Sequence, residues 1–271
     1  LYALPGVPHE MERMAERFVL PEIGGLLRGP RRRERTLRTF GISEARLAAR
    51  IEPIVPAGVR VAYLPRLGAV DLEFSATGRA DEADRRLAAA AAAALEEIGD
   101  AVYAEGETDL AEAVGVRLRE RGWTLAVAES LTGGALGARI VSIPGASRTF
   151  LGDVVAYDDR AKHALLGVPE AWIREHGAVS GPVAEAMAHG ARDRFGADVG
   201  ISTTGVAGPD GGTEAKPVGL AYLGLAWPGG RIAVRRRGTG GREAVIGRIV
   251  NAALDLVRRA ASGLDPDPGG G

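Results

Sequence analysis

The sequence Leu125-Ala-Val-Ala-Glu-Ser-Leu-Thr-Gly-Gly-Ala-Leu-Gly-Ala138 decides how the larger part of the chain folds. Its four small apolar residues, Leu125 to Ala128, predict a strand buried on both faces, as in a parallel sheet. A polar turn and a glycine pair follow, and residues 135 to 140 are compatible with a helix. This order predicts that the Ser130 hydroxyl rises out of the sheet beside unpaired helix N–H groups, which favour a phosphate or a developing oxyanion. A plainer interpretation is a strand–helix joint in which the serine and threonine only cap the helix.

The composition describes a globular protein without disulfide or thiol chemistry. The chain has 271 residues, 46% of them apolar and 25% charged, which suffices for one large or two ordinary domains. It has no cysteine, which excludes disulfides, thiolate nucleophiles and sulfur-ligated metals and fits the reducing cytoplasm. The net charge of −1 gives no basic excess for nucleic acid or an anionic membrane, and no signal peptide or membrane span is visible. The four histidines lack metal-ligand spacing, so we expect neither a metal nor a cofactor.

The first 106 residues are predicted to contain a short helix, a linker and a small domain. Residues 1 to 30 start without an initiator methionine and are interpreted as the remnant helix of an upstream domain, broken by prolines and glycines from Pro21 to Pro30. The arginines of residues 31 to 35 favour a solvated linker over a nucleic-acid patch, because no aromatic residues are interleaved with them. Residues 31 to 106 predict an α+β domain of order β-α-β-β-α-β, with Ser43 capping its first helix and an alanine-rich second helix.

Residues 107 to 262 are predicted as a larger α/β domain. Its pattern contains the strand of the opening stretch, a strand that ends at Tyr157 and a later hairpin across a Pro-Gly-Gly turn. The last helix is expected from Arg242 to Ala261. Residues 263 to 271 are rich in proline, glycine and aspartate and predict a flexible tail.

Three stretches with chemistry-bearing residues lie at strand ends of this larger domain. They are residues 129 to 134, residues 157 to 162 and the glycine-rich loop from Thr204 to Gly219. In open α/β sheets, ligands bind at the carboxyl ends of the strands, so we expect the three stretches to form one site. The glycines let the loop backbone approach a ligand closely. Lys216 within the loop is a candidate to contact a phosphate, and the alternative is a simply solvated lysine. The alternative for the loop is a plain connector, although long loops in compact domains are usually functional.

A serine with a nearby lysine is a known arrangement for acyl transfer, and Ser130 with Lys162 predicts such a pair. Lys162 would take the serine proton as a neutral amine, desolvated by burial, and Tyr157 would relay or orient that proton. The N–H groups from Thr132 to Gly134 would form the oxyanion hole. The alternatives are an exposed helix lysine at position 162 and a core aromatic residue at position 157.

Taken together, these segments resemble the CinA family, and in particular its C-terminal nicotinamide-nucleotide amidohydrolase domain. The resemblance covers about 150 residues and lies in five pieces: Ala128-Glu-Ser-Leu-Thr-Gly-Gly134, Pro144-Gly-Ala-Ser147, residues 157 to 168, Gly177-Ala-Val-Ser180 and residues 204 to 219. Residues 35 to 106 resemble the KH-like middle domain of that family. Leu4-Pro-Gly-Val-Pro-His-Glu-Met11 resembles the end of its N-terminal molybdopterin-binding-like domain, whose catalytic part is absent here.

The resemblance implies a three-layer α/β/α amidohydrolase domain preceded by a KH-like α+β domain. It also implies hydrolysis of the carboxamide of nicotinamide mononucleotide to nicotinate mononucleotide and ammonia, in pyridine-nucleotide salvage. Ser130 is then the nucleophile, Lys162 the base and Tyr157 its partner. The substrate-binding residues that it implies are Thr132, Gly133, Gly134, Thr204, Gly205, Gly208, Lys216 and Arg242.

The resemblance further implies a homodimer and a small-molecule substrate, with no membrane or nucleic-acid partner. The alternative function is a non-catalytic nucleotide-binding or regulatory module linked to competence or DNA damage. Three departures from the family pattern bear on activity. Leu131 stands where a cysteine is often found, Asp159 replaces a common asparagine, and Gly241 and Ile246 alter a Gly-Asp-Arg-Glu motif and a following arginine.

Overall fold

The computed structural model describes residues 2 to 26 and 31 to 268, which form a helical N-terminal segment and two sheet-containing domains. The described strands are β1 Arg31–Thr39, β2 Val59–Arg66, β3 Ala69–Gly78, β4 Val102–Glu105, β5 Leu125–Glu129, β6 Phe150–Val155, β7 Val199–Gly205, β8 Leu220–Trp227 and β9 Gly230–Arg237. The described α-helices are α1 Pro8–Met14, α2 Leu20–Leu26, α3 Glu44–Ile51, α4 Ala80–Ile98, α5 Leu110–Arg121, α6 Ala135–Val141, α7 Asp159–Leu166, α8 Glu170–His176, α9 Gly181–Phe195 and α10 Arg242–Ala261.

The N-terminal segment is helical from α1 to α2, with a π-helical stretch, Ala15–Val19, between the two. The predicted breaks at Pro21, Gly24 and Gly25 are wrong, because α2 follows directly on the π-helical stretch and continues through these residues to Leu26. The side chain of Phe18 is 56% exposed, and α1 contains no buried residue. The predicted breaks at Gly29 and Pro30 lie outside the described residues.

The first domain is an antiparallel sheet of order β2-β3-β1-β4, with α3 and α4 packed against it. Its chain order confirms the predicted β-α-β-β-α-β arrangement. The Ser43 hydroxyl caps α3 by accepting the Arg46 N–H, as expected for a serine N-cap. Alternate residues of β3, such as Leu72 and Phe74, are buried under α4, and the small alanines of α4 allow the helix to lie close to the sheet.

The arginines of residues 31 to 33 belong to β1, not to a linker as predicted. They pair with residues 76 to 78 of β3 through the strand backbone. Arg32 forms an ion pair with Glu73, and Arg33 forms one with Asp84. β4 pairs only with the far end of β1, Leu37 to Thr39, so the side chains of Arg32 and Arg33 lie at a solvated edge and the strand tolerates them.

The second domain is a three-layer α/β/α structure, which confirms the predicted fold class. Its sheet has the order β6-β5-β7-β8-β9, with β5 parallel to both neighbours and the last two strands antiparallel. Helices α7 and α9 cover one face, and α5, α6 and α10 cover the other. Every residue of β5, the second strand in this order, is buried, because side chains on both of its faces meet helices.

The two domains contact each other through α10. The Asn251 side chain donates to the Leu67 carbonyl at 2.9 Å, and Arg258 donates to the Asp100 carbonyl at 3.0 Å. In the predicted tail, Asp267 forms an ion pair with Arg236, while residues 269 to 271 lie outside the described residues. Across the part of the chain that the structure describes, no helix combines the length and apolar character needed to span a bilayer.

Candidate active site

The predicted site residues meet at the carboxyl ends of β6, β5 and β7. The register places Glu129 at the end of β5 opposite Val155 of β6 and Thr203 of β7. The Ser130 N–H then donates to the Thr203 carbonyl at 2.9 Å, and the Ala156 N–H donates to the Glu129 carbonyl at 2.8 Å. Ser130 therefore lies between the ends of two neighbouring parallel strands, where α/β folds bind ligands.

The turn after β5 holds Ser130 in a buried position, with 7% of the residue exposed. The Gly133 N–H donates to the Ser130 carbonyl at 3.2 Å and closes the turn. Gly133 and Gly134 have φ angles of 61° and 98°, which are accessible to glycine without a steric cost. The glycine pair is therefore required by the shape of this turn.

The start of α6 does not present open N–H groups, contrary to the prediction. The Glu129 carboxylate accepts the N–H groups of Gly134 at 2.9 Å, Leu136 at 3.2 Å and Gly137 at 2.7 Å. A buried carboxylate is thus the partner of the helix start, which leaves no room there for a phosphate. Along the preceding turn, the N–H groups of Leu131 and Thr132 donate no hydrogen bond within the described residues.

A second carboxyl group, the partly buried Asp153 of β6, lies next to the fully buried Glu129. Desolvation raises the pKa of Asp153 from 3.8 to about 8, and the hydrogen bond to Glu129 and the negative charge of Glu129 add to the shift. A Cβ atom on Gly137 would lie 2.5 Å from Asp153 Oδ2, so both carboxyl groups meet at this glycine. Burial and the neighbouring carboxylate therefore favour the protonated form of Asp153.

Lys162 lies in the first half of α7 with its side chain only 2% exposed, so the exposed-lysine alternative is excluded. Its Nζ donates to Asp159 Oδ1 at 3.0 Å and to the Tyr157 carbonyl at 3.2 Å. Within the described residues it forms no direct hydrogen bond with Ser130. The predicted partner Tyr157 thus contacts Lys162 through its main chain.

The Tyr157 ring is 62% exposed, so it is not the core aromatic residue of the alternative interpretation. Its hydroxyl lies 3.5 Å from Arg242 Nη2. Arg242, the first residue of α10, also donates through Nη1 to the Gly208 carbonyl at 2.7 Å. One guanidinium group therefore joins the tyrosine at the end of β6 to the glycine-rich loop.

The glycine-rich loop is anchored at several points. At its start, the buried Thr204 hydroxyl donates to the Ala178 carbonyl at 2.8 Å, and Gly205 ends β7. Further along, Lys216 Nζ donates to the His176 carbonyl at 2.9 Å, at the end of α8. Because a helix C-terminus attracts positive charge, this contact holds the loop against α8.

The Thr132 hydroxyl points away from the turn, towards the sheet. It forms a 2.6 Å hydrogen bond with the Thr203 hydroxyl, and both residues are buried. The structure gives this threonine side chain a role in fixing the turn to β7. Any contact of Thr132 with a ligand therefore falls to its main chain.

Sequence reasoning did not single out the buried carboxyl pair. The signal that marks it is an acidic residue inside or directly after an otherwise apolar strand, as in Glu129 and Asp153. Acidic residues are almost never fully buried unless they are paired, so an acidic residue in a buried strand beside another in the neighbouring strand indicates a shared site. In the described part of the chain, no cluster of three or more metal-ligating side chains is present.

Comparison with known proteins gives matches over both domains. The family model described as "CinA C-terminal domain" matches residues 107–261, and the model described as "Damage-inducible protein CinA KH domain" matches residues 34–104. A CinA-like protein of Gemmatimonas aurantiaca is 45% identical over 95% of this chain, and one of Citrifermentans bemidjiense is 42% identical over 100% of it. The chain spans 61% and 65% of the length of these two relatives.

Solved structures match the second domain. A competence-damaged protein (CinA) superfamily protein of Klebsiella pneumoniae is 32% identical, with a TM-score of 0.55 over 57% of this chain and 96% of that one. A competence/damage inducible protein of Agrobacterium tumefaciens is 34% identical, with a TM-score of 0.54 over 56% of this chain and 93% of that one. From its sequence, its fold and these matches, the chain belongs to the CinA family, with a KH domain followed by the CinA C-terminal domain.

Proposed function

We propose that the second domain hydrolyses the carboxamide of nicotinamide mononucleotide to nicotinate mononucleotide and ammonia. The observation that carries the proposal is the placement of Ser130 at the carboxyl end of β5, between the strand ends that lead to Tyr157 and Thr204. A buried serine after β5, a buried lysine after the neighbouring strand β6 and a glycine-rich loop after β7 fit acyl transfer on a small nucleotide.

In the proposed reaction, the Ser130 hydroxyl attacks the carboxamide carbon and gives its proton to Lys162. Lys162 acts as this base only as a neutral amine, after it has lost a proton and with it the ion pair to Asp159. The tetrahedral oxyanion collapses, the C–N bond breaks, and the proton leaves with ammonia. Water then hydrolyses the serine ester to release the carboxylate and restore the serine. Hydrogen bonds among catalytic groups often tighten only in the substrate complex, so the missing direct Ser130–Lys162 contact is compatible with this sequence of steps.

The oxyanion donors in this proposal are the main-chain N–H groups of Leu131 and Thr132. They are the candidates because Gly133 and Gly134 already donate within the protein. The phosphate of the substrate is assigned to the glycine-rich loop together with Arg242, whose guanidinium already contacts the loop. Arginine suits phosphate because its planar donors bind two oxygens at once.

The test measures ammonia release from nicotinamide mononucleotide by the parent protein and by Ser130→Ala. We expect a loss of about 10³-fold or more, because a nucleophile acts as a unit with its base. Ser142→Ala is the matched control, since its hydroxyl only donates to the Arg139 carbonyl at an exposed site. Parent-level turnover by the Ser130 variant would rule out the serine mechanism. Binding of the mononucleotide to the parent without turnover would instead favour a regulatory nucleotide-binding module.

A further inference from the structure

The buried Glu129 carboxylate accepts hydrogen bonds from the far side of the turn that carries Ser130. These contacts close a ring of residues 129 to 137. Glu129 directly precedes Ser130 in the chain, and its side chain holds Gly134, Leu136 and Gly137 beyond the turn. All three contacts are main-chain N–H groups donating to a carboxylate, which are stronger than neutral hydrogen bonds. The position of Ser130 is therefore set from both sides by one fully buried side chain.

The carboxyl group of Asp153 stands against this ring. Glu129 and Asp153 lie on the same face of neighbouring strands, and Gly137 has no space for a Cβ atom because Asp153 Oδ2 occupies it. Among the described residues, the buried Asp153 Oδ1 has no hydrogen-bond partner. A proton shared with Glu129 would supply one. Two buried carboxylates in contact repel, so one of them must carry a proton.

Other charged groups on the packed elements do not neutralise this pair. Arg139 of α6 is directed to Asp109 at the start of α5, where the two form an ion pair. Arg148, in the turn before β6, is exposed beside Gly145. Helix α9 packs on the other face of the sheet. The proton is therefore the main means by which the site tolerates two acidic side chains.

We propose that Glu129 is the positioning residue of the nucleophile turn and that a proton shared with Asp153 keeps it in place. The proposal rests on the proposed function of Ser130. When Asp153 loses its proton, two negative charges face each other at the start of α6. The repulsion loosens the contacts of Glu129 with Gly134 and Gly137, and Ser130 loses its alignment.

This arrangement predicts an alkaline limit to activity that Asp153 controls. Because burial and Glu129 raise the pKa of Asp153 to about 8, kcat/KM of the parent is expected to fall above that pH. An asparagine at position 153 donates the same hydrogen bond from its amide at every pH. Asp153→Asn should therefore retain activity at pH 7 and lose this alkaline decline.

Glu129→Gln tests the positioning role directly. The glutamine amide brings N–H groups towards three N–H donors, so the ring opens and kcat should fall by about 10- to 100-fold with little change in KM. Amide hydrogen exchange at pH 7 should increase in residues 133 to 137 of this variant and remain near parent levels in Asp153→Asn. This readout does not depend on turnover, so it applies even when the substrate proposal is wrong.

The two proposals fail in different ways. A Ser130→Ala protein with full activity overturns the proposed function and leaves the exchange measurement intact. An inactive Ser130→Ala together with parent-like kcat and exchange in Glu129→Gln overturns the positioning role alone. An alkaline decline that persists unchanged in Asp153→Asn overturns the part assigned to the shared proton, even where Glu129→Gln fails to fold.

Discussion

Replacing Asp153 by asparagine should change how the stability of the second domain depends on pH. The folded protein holds a proton on Asp153 that the unfolded chain releases above pH 3.8, because its pKa in the fold is about 8. Stability from this group is fully present below pH 3.8 and is lost as pH rises through the folded pKa. The asparagine variant has no such proton, so its stability should decline less between pH 5 and pH 8.

The magnitude follows from one proton. In the window between the two pKa values, one extra proton in the folded state changes the free energy of unfolding by up to about 1.4 kcal/mol per pH unit. Asp153 is partly accessible to solvent, and screening reduces the effect. We therefore expect the free energy of unfolding of the parent to fall with pH more steeply than that of Asp153→Asn, by roughly 0.7 to 1.4 kcal/mol per pH unit.

Tryptophan fluorescence during urea unfolding isolates the domain concerned. All three tryptophans, Trp123, Trp172 and Trp227, lie in the second domain, so the signal does not report the KH domain. Measurements at half-unit steps from pH 5 to pH 8 give the slope for each protein. Glu120→Gln in the same domain is the matched control, because this carboxylate is 55% exposed and forms an ion pair with Arg117 on the surface.

The control should run parallel to the parent, since an exposed ion pair contributes little. Parallel curves for the parent and Asp153→Asn across the whole range would refute the shared proton. That result would mean that Asp153 is ionised in the folded protein at pH 7. The site would then have to accommodate two negative charges, against the expectation for buried carboxylates.

Four further substitutions test other contacts of the site. Lys162→Met keeps the side-chain volume and removes the amine, so ammonia release should fall by about 10³-fold while the fold persists, as checked by circular dichroism. Asp159→Asn keeps a hydrogen-bond acceptor for Lys162 but removes its negatively charged partner. This loss should raise kcat at pH 7, and an unchanged or lower kcat would contradict this reasoning. Arg242→Ala removes the link to Tyr157 and should raise KM about tenfold or more, with Arg242→Lys giving partial recovery, as steady-state kinetics would show. Gly137→Ala places a methyl group against Asp153 and should destabilise the domain by about 1 to 3 kcal/mol, whereas parent-like urea unfolding would show that the site relaxes freely.

Much of the fold follows from local sequence. The small apolar residues of β5 specify a strand buried on both faces, and the glycine pair after it specifies a turn, because these preferences depend on neighbours in the chain. Local sequence also predicts the hairpin of β8 and β9. It predicts α10 as well, whose observed bounds, Arg242–Ala261, agree with the prediction. Burial of Lys162 required more than local sequence, since a lysine in a short polar helix reads equally well as exposed.

The partners of the site residues were decided by the tertiary structure. Arg242 and Tyr157 are 85 positions apart in the chain and meet only because α10 packs beside the ends of the strands. Asp153 meets Glu129 only because β6 pairs in register with β5, and Glu129 rather than a ligand satisfies the start of α6 for the same reason. Sequence by itself determined which segments form strands, helices and turns around Ser130. Only the assembled sheet decided which charges and hydrogen bonds surround it, because electrostatics and burial depend on distances between segments that are remote in the chain.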